Sequence, residues 1–310
     1  MNERGLNMAD IRSDGSELLH YDNPDYPVYF RKNEISKDLI FHDISIHWHD
    51  ELELIYIKSG SIRYQLNGKT VRMKAGEGIF VNSKQLHLIV SDGADCELYC
   101  LIFHPMILCA AHHIAEKYVA PVMENGYVPY LMLSETEPWQ CRILENIAAV
   151  EKDLEADAGE LLVMGRLFEI CRQLYLHIKR PAQGERVQDR NLILVKEMIA
   201  YIQKHYQQKL TLQEICDAGK VGKTKGTAVF GQYLNQTPIE YVCNYRIERS
   251  IELLRSSDAN ITEIAYETGF SEGGYYSKVF KERMGVSPLQ YRRLLKKEAR
   301  EGENGNGEPV

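Results

Sequence analysis

The sequence predicts a multidomain α+β fold: an N-terminal β-barrel with flanking helices, then an all-α domain that carries two helix-turn-helix units. Three observations predict it. Short β-type runs punctuated by Gly and Asn fill residues 27–103. From Pro138 to Lys179, apolar residues recur at three- and four-residue steps. The last third of the chain repeats itself about every 50 residues. A chain of 310 residues, 44% of them hydrophobic, is long enough for two domains that each bury a core.

The β-type runs include Glu53 to Ile57, Ser61 to Leu66, Gly78 to Val81 and Glu97 to Phe103. Asn67-Gly68 between two runs is a tight-hairpin signal, because both residues tolerate the positive φ that a type I′ turn demands. Many short strands at this spacing predict a sandwich or barrel. Leu144, Ile147, Leu154, Leu161, Leu167, Cys171, Leu174 and Ile178 then form an amphipathic stripe. Such a stripe serves equally to cover a sheet or to form a dimerisation face. Arg180 to Arg186 is polar, with a Pro and a Gly, and reads as an interdomain linker.

Composition narrows the class. No apolar run reaches the roughly 18 residues that a membrane-spanning helix needs. The N-terminus stays polar through Ser16 and lacks the apolar stretch of a secretory signal. The 7 cysteines are scattered, with no Cys-x-x-Cys pair. That argues against a disulfide framework or zinc knuckle and for the reducing cytoplasm. The net charge is −7, but it is uneven: residues 191–298 hold 16 Lys+Arg against 12 Asp+Glu, so the acidic excess lies elsewhere. A basic segment joined to an acidic one fits a nucleic-acid-binding domain attached to a separate module.

The internal repeat carries the most information. Thr211-Leu212-Gln213-Glu214-Ile215 matches Asn260-Ile261-Thr262-Glu263-Ile264, and Val229-Phe230 matches Val279-Phe280. Thr237-Pro238-Ile239-Glu240-Tyr241 matches Ser287-Pro288-Leu289-Gln290-Tyr291. Each block opens on a cap residue with Glu or Gln three positions later, the reciprocal pattern that satisfies two orphan N–H groups at a helix start. Pro238 and Pro288 fall at the first helical position, where no N–H is missed. Helices therefore start near 212, 238, 261 and 288. In the second unit, a helix from Ile261 to Thr268 meets Gly269, suited to a left-handed turn, and Ser271 caps a helix from Glu272 to about Met284. In the first unit, Leu212 to Ala218 and Thr224 to Tyr233 flank a turn through Gly219 to Gly222.

The run Ile261 to Ser271, then Tyr276-Ser277-Lys278-Val279-Phe280-Lys281, then Gly285-Val286-Ser287-Pro288-Leu289-Gln290-Tyr291-Arg292, resembles the signature of AraC/XylS regulators. The helix with Arg246-Ile247-Glu248-Arg249 and Leu253-Leu254 resembles their central helix. The resemblance spans about Leu192 to Leu295. It implies bacterial transcription regulation through double-stranded promoter or operator DNA, with RNA polymerase as a partner. It also implies two recognition helices that enter successive major-groove segments on one DNA face, about 34 Å apart.

By helical spacing, Val229, Phe230, Tyr276, Val279 and Phe280 are core. Lys223, Thr224, Lys225 and Thr227 are the outward candidates of the first recognition helix; Lys donates to guanine and Thr meets a thymine methyl group. Glu272, Gly273, Gly274, Tyr275 and Lys278 are those of the second. With two glycines there, that unit is expected to contribute mainly phosphate contacts, from Lys278 and Lys281. Gly226 departs from helix preference by about 1 kcal/mol relative to Ala. Arg246 and Arg249 are candidates for DNA-backbone contacts, or for pairing with Glu248 and Glu252.

His47-Trp48-His49, then Glu53 and Gly60, fit the spacing of the first cupin motif. The second motif is partial: Gly76 and His87 are in place, but Asn82, Lys84 and Ser91 stand where Pro, Gly and Asn are usual. Strand alternation puts His47, His49 and Glu53 on one face if no bulge intervenes, and His87 completes the set. Three His and a carboxylate suit a non-haem iron, manganese or nickel ion. Sensor cupins joined to AraC-type domains resemble the same motif, and that resemblance implies an organic effector, sugar-like, held by His47, His49, Glu53 and His87 without a metal or cofactor. The alternative is a metal-dependent cupin enzyme or metal sensor fused to a DNA-binding module. No phosphate loop or nucleophile elbow occurs, and no enzyme activity is expected. The expected organisation is a cupin-type sensor barrel over 1–120, a helical segment over 121–180 that covers the sheet or forms a homodimer, a linker over 181–190, the double helix-turn-helix over 191–298 and a disordered tail over 299–310.

Overall fold

The computed structural model describes residues 10–35, 46–109, 111–123, 125–179 and 189–304. Most of the expected linker lies outside them. The chain divides into two compact units, one built on Ser16–Leu192 and the other from Ile193 onward.

Among the described residues, the first unit holds ten strands: β1 (Asp10–Ile11), β2 (Glu17–Leu18), β3 (Val28–Ile35), β4 (Leu52–Ser59), β5 (Ser61–Leu66), β6 (Lys69–Lys74), β7 (Glu77–Val81), β8 (His87–Ser91), β9 (Cys96–Phe103) and β10 (Tyr130–Ser134). They form an antiparallel sheet β10-β7-β4-β9-β3, facing a sheet β6-β5-β8, plus the small pair β1-β2. Asn67 and Gly68 take φ of 46° and 82°, the left-handed pair of the expected hairpin turn between β5 and β6.

Period-two alternation sends neighbouring side chains of the larger sheet to opposite faces. Ile55, Ile57, Ile79, Val81, Leu98 and Ile102 point inward, against Ile62, Tyr64 and Leu66 of the smaller sheet. Leu52, Leu54, Phe80, Leu101 and Phe103 point outward, where Ile143, Leu144, Ile147, Val163, Leu167 and Ile170 cover them. The covering residues belong to α3 (Pro138–Leu154) and α4 (Gly159–His177). Burial on both faces is why β4 and β9 read as nearly continuous apolar runs. At the corner between β4 and β5, Gly60 has φ +76°, and a Cβ there would fall 1.8 Å from the Asp95 carbonyl oxygen, so only glycine fits.

Between the strands and α3 lie the short helices α1 (His112–Ile114) and α2 (Ala120–Met123). His112 and His113 are exposed. The 121–180 segment is not purely helical. It contributes β10, which pairs with β7 from Tyr130↔Val81 to Ser134↔Glu77 and so completes the barrel sheet.

The second unit is all-α: α5 (Arg190–His205), α6 (Leu212–Ala218), α7 (Lys223–Leu234), α8 (Pro238–Ser256), α9 (Ile261–Glu267), α10 (Gly273–Met284) and α11 (Pro288–Asn304). Capping boxes close at Thr211/Glu214, Thr237/Glu240 and Asn260/Glu263. Ser287 and Gln290 bond reciprocally in the same way. The duplication extends to the core: Phe230 meets Tyr241 at 5.6 Å and 74°, and Phe280 meets Tyr291 at 5.5 Å and 69°. α8 packs against α6 and α7 on one side and α9, α10 and α11 on the other, as a shared beam.

Two expectations are corrected. Glu272, not Ser271, holds the cap position of α10, and its side chain makes no cap bond. α11 continues to Asn304, past the end expected at 298, because Lys296 to Glu301 are nearly all strong helix formers. The rest of the expected tail, 305–310, lies outside the described residues. In the first helix-turn-helix, the left-handed turn residue is Lys220 (φ 54°), while Gly219 sits at φ −79°; its counterpart in the second unit is Gly269 (φ 87°).

Candidate DNA-reading face and barrel site

On α7, the exposed residues after Lys223 are Thr224, Lys225, Ala228 and Gln232, a stripe at helical spacing. On α10 the stripe recurs 50 positions on, as Gly274, Tyr275, Lys278 and Glu282. Of the candidates read from the sequence, Lys223, Thr224, Lys225, Glu272, Gly274, Tyr275 and Lys278 are exposed. Thr227 and Gly273 are half-buried, because the helix turns both toward the unit's core. Ala228 and Gln232 were missed, although the i, i+4, i+8 progression from Thr224 marks them. Tyr275 is 53% exposed, with its ring edge-on to Phe270 at 6.1 Å. Lys278 stands 3.9 Å from Glu282, both exposed, a contact worth little in water.

Neither α7 nor α10 has a side-chain cap on its first turn, whereas α6, α8 and α9 are all boxed. The N–H groups of both exposed helix starts are therefore open to an anion.

Gly226 is explained by packing. A Cβ there would lie 2.5 Å from Cys216 Sγ and 3.3 Å from Val221 Cγ2, so the glycine lets α7 close onto α6. The equivalent positions in the second unit, 50 and 49 residues on from Gly226 and Cys216, are Tyr276 and Ala265, both fully buried.

Arg246, a candidate for DNA-backbone contact, is engaged within its own unit. Its Nε donates to the Tyr206 carbonyl (2.8 Å) and its Nη2 to the Gln208 carbonyl (2.7 Å), with Phe270 beside the guanidinium. It ties the segment after α5 to the second helix-turn-helix. Arg249 takes the alternative role, pairing with Glu252 at 3.2 Å and Tyr245 Oη at 2.7 Å.

In the barrel, His47, His49, Glu53 and His87 converge. One donor atom from each lies within 4.8 Å of every other, and all four residues are buried. The backbone route differs from the expected single strand. Only Glu53 belongs to β4, on the inward face with Ile55 and Ile57; His47 forms an isolated bridge with His87 ahead of it. His49 Nε2 and His87 Nε2 stand 3.2 and 3.0 Å from the same oxygen, Glu53 Oε2. Tyr64 Oη donates to Glu53 Oε1 at 2.8 Å. Burial pushes the Glu53 carboxyl up, but the charge of His87 and the bonds from His49 and His87 hold it well below the usual carboxylate range. Burial and the adjacent Glu53 push the Tyr64 phenol well up, so it stays a donor.

Two further carboxylates were missed by the sequence reading. Glu17 Oε2 on β2 is 3.2 Å from His47 Nε2, and Glu51 Oε2 is 3.5 Å from His49 Nδ1. Glu51, buried, also accepts from Tyr21 Oη at 2.7 Å. No spacing rule reaches Glu17, which arrives from an N-terminal hairpin. Where a second motif glycine is usual, Lys84 takes φ 64°, and its N–H donates to the His49 carbonyl at 2.8 Å. Asn82, in place of the usual proline, donates to the Val122 carbonyl at 3.0 Å.

Comparison with known proteins places both units. Residues 35–169 match the AraC-like ligand binding domain family and residues 215–294 a helix-turn-helix domain family, together more than two thirds of the chain. The uncharacterized HTH-type transcriptional regulator YdeC of Bacillus subtilis is 29% identical over 283 residues, covering 90% of this chain and 96% of that protein. The melibiose operon regulatory protein of Escherichia coli K12 is 21% identical over 252 residues, covering 80% and 83%. A crystal structure of ToxT from Vibrio cholerae aligns over 86% of this chain and 98% of that one, at 15% identity and a TM-score of 0.44. A ligand-binding barrel ahead of a duplicated helix-turn-helix, in a chain whose homologues are regulators of the same build, makes this protein a member of the AraC family of transcriptional regulators.

Proposed function

We propose that the protein reads operator DNA with α7 and α10, and that an organic, sugar-like effector in the barrel controls that binding. The observation that carries the reading is the recurrence of one exposed stripe on two uncapped helices 50 residues apart. Lys223, Thr224, Lys225 and Gln232 give the first helix the donors that base edges take. The second offers Lys278 beside Gly274 and Tyr275, which suits phosphate contact and positioning. Relatives named as regulators, with no catalytic motif in the chain, support a DNA-binding regulator rather than an enzyme. The name of the melibiose operon regulatory protein supports a sugar as effector class. His47, His49, Glu53 and His87 are the polar contacts the barrel offers it. Leu161, Leu162, Phe168 and Leu176, exposed along α4, support a homodimer through that helix. RNA polymerase is the partner a promoter-bound regulator would meet.

Effector control requires that the ligand bind two arrangements of the protein with different affinity. The test is random-sequence DNA selection with the full chain at two salt concentrations. An enriched motif of two half-sites about one helical turn apart is expected. Binding without sequence preference that collapses as salt rises would leave only the electrostatic term and refute the reading. A panel of sugars is then screened for a rise in Tm, the mass-action mark of a true ligand.

A further inference from the structure

We propose that Arg246 is a positioning residue: by tying the chain just after α5 to the turn of the second helix-turn-helix, it fixes α10 relative to α7 and so sets the half-site spacing that the protein accepts. The proposal deepens the DNA-reading role of α7 and α10, and it rests on that role for the meaning of the spacing.

α5 and the residues that follow it reach the turns of both helix-turn-helix units. In the first, a Cβ at Gly219 would lie 2.9 Å from Met198 Cγ and 3.2 Å from the Leu194 carbonyl oxygen, so that turn sits on the body of α5. In the second, a Cβ at Gly269 would lie 2.5 Å from the Tyr206 carbonyl oxygen and 2.9 Å from Gln207 Cα, in the segment that follows α5. Each turn leads straight into a reading helix, α7 at Lys223 and α10 at Gly273. α8 also joins the two units, but a lone helix bends along its length. A second tie between the units removes that freedom.

Arg246 turns the second contact into a bonded one. From the middle of α8, its Nε donates to the Tyr206 carbonyl at 2.8 Å and its Nη2 to the Gln208 carbonyl at 2.7 Å. Both carbonyls lie just past His205, the last residue of α5, at the negative end of that helix's dipole, where a cation is favoured. Hydrogen bonds from a charged donor are also roughly twice as strong as neutral ones. The guanidinium lies 5.8 Å from the centre of the Phe270 ring, which follows Gly269. Phe270 stands 5.2 Å from Tyr276, and Tyr276 stands 5.7 Å from Phe280, both on the buried face of α10. Tyr206 packs back on Tyr245 of α8 at 5.2 Å and 84°. The end of α5, the middle of α8 and the turn before α10 are thus closed into a triangle. The planar fork of Arg meets two carbonyls at once, which the compact ammonium of Lys does not reproduce.

DNA geometry makes the joint matter. One added base pair moves a half-site by about 3.4 Å along the axis and about 35° around it. Two helices held rigidly apart cannot follow that move, whereas two helices that pivot on α8 can.

The test uses the full chain. Nitroxide labels are attached through a ketone-bearing amino acid at Gln232 and Glu282, equivalent exposed positions on α7 and α10, and their separation is read by pulsed electron paramagnetic resonance without DNA. A single narrow distance is expected with Arg246 present, and a distribution at least twice as broad in Arg246→Lys. On operators whose selected half-sites are moved together or apart by 1 or 2 base pairs, the wild type should lose at least tenfold in affinity and Arg246→Lys less than threefold. Equal distance widths in the two proteins would overturn the proposal. So would a broad distribution with Arg246 intact, which decides the matter even if the variant does not fold. A variant weakened by the same factor at every spacing would overturn it as well, since that marks a phosphate contact or lost stability alone. The distance measurement needs no DNA and so separates this proposal from the regulator reading. Broadening in a chain without sequence-specific DNA binding supports the joint and defeats the reader, whereas spacing discrimination unchanged in Arg246→Lys defeats the joint alone.

Discussion

Replacing Gly226 by alanine should destabilise the DNA-binding unit, although alanine is the better helix former. Propensity alone favours Gly226→Ala by about 1 kcal/mol in a helix interior. The added methyl, however, would sit 2.5 Å from Cys216 Sγ, and Cys216 is fully buried. Overpacking of this kind costs roughly 1–3 kcal/mol, and so close a contact belongs in the upper part of that range. A net loss of about 1–2 kcal/mol follows. The reasoning fixes a second result. In a Cys216→Ala background the offending sulfur is gone, and the remaining contacts, 3.3 Å to Cys216 Cβ and to Val221 Cγ2, need only small shifts. There Gly226→Ala should stabilise by about 1 kcal/mol, so the double-mutant cycle should show a coupling of about 2–3 kcal/mol. Both tryptophans, Trp48 and Trp139, precede Ile193, so their fluorescence follows the barrel unit, while far-UV circular dichroism follows the helices of both units, and the part of its change that fluorescence does not track belongs to the DNA-binding unit. Guanidinium unfolding read by the two signals gives each stability. A Gly226→Ala protein as stable as wild type, or a Cys216→Ala background that fails to reverse the sign, would refute the close-approach account.

Lys220→Gly should stabilise the same unit by about 1 kcal/mol, because an L-residue there holds a left-handed φ of 54° that glycine adopts freely; unfolding by circular dichroism measures it. Lys278→Ala should weaken DNA binding uniformly across sequences and flatten the plot of log K against log salt by about 0.9. Lys225→Ala should relax preference at one base position, at a cost of about 1–3 kcal/mol; fluorescence anisotropy on the selected site and its single-base variants separates the two. Glu169 accepts from Arg172 at 2.7 Å, and that bond, with help from Gln173 and against partial burial, lowers its carboxyl from 4.5 to about 2. Its folded-state value is depressed, so its stabilisation is present above pH 4.5 and fades as pH falls toward 2. Glu169→Gln should flatten the acid limb of stability over that range, seen in tryptophan-monitored unfolding.

The double helix-turn-helix was legible because its determinants are local. A capping box or a first-turn proline acts within four residues, and the pairs Thr211/Glu214, Thr237/Glu240 and Asn260/Glu263 closed where their spacing put them. The barrel strands were legible from alternation and from Asn67-Gly68. β10 was not, because a five-residue strand between helices gains its stability from pairing with β7, a contact no window of sequence contains. Glu17 was invisible for the same reason. The partners of Arg246 were equally hidden: only the fold brings the Tyr206 and Gln208 carbonyls to its guanidinium.

Glycine marks the limit of motif reading most clearly. A motif glycine stands for one of two physical demands, a left-handed φ or a missing Cβ, and the letter does not say which. At Gly226 the demand is space: α7 cannot approach Cys216 with a side chain in the way, whereas the second unit has Ala265 and Tyr276 at the equivalent positions. At Lys84 and Lys220 the demand is conformation, and it persists although the glycine is gone. The left-handed turn at Lys84 brings its N–H to the His49 carbonyl, which helps fix the segment that carries His47 and His49 beside β8. A strained backbone kept in a non-glycine residue is retained only where surrounding contacts over-determine it. Here those contacts converge on the four-residue cluster, so the partial second motif still builds the same site, by a backbone constraint that residue identity alone does not record.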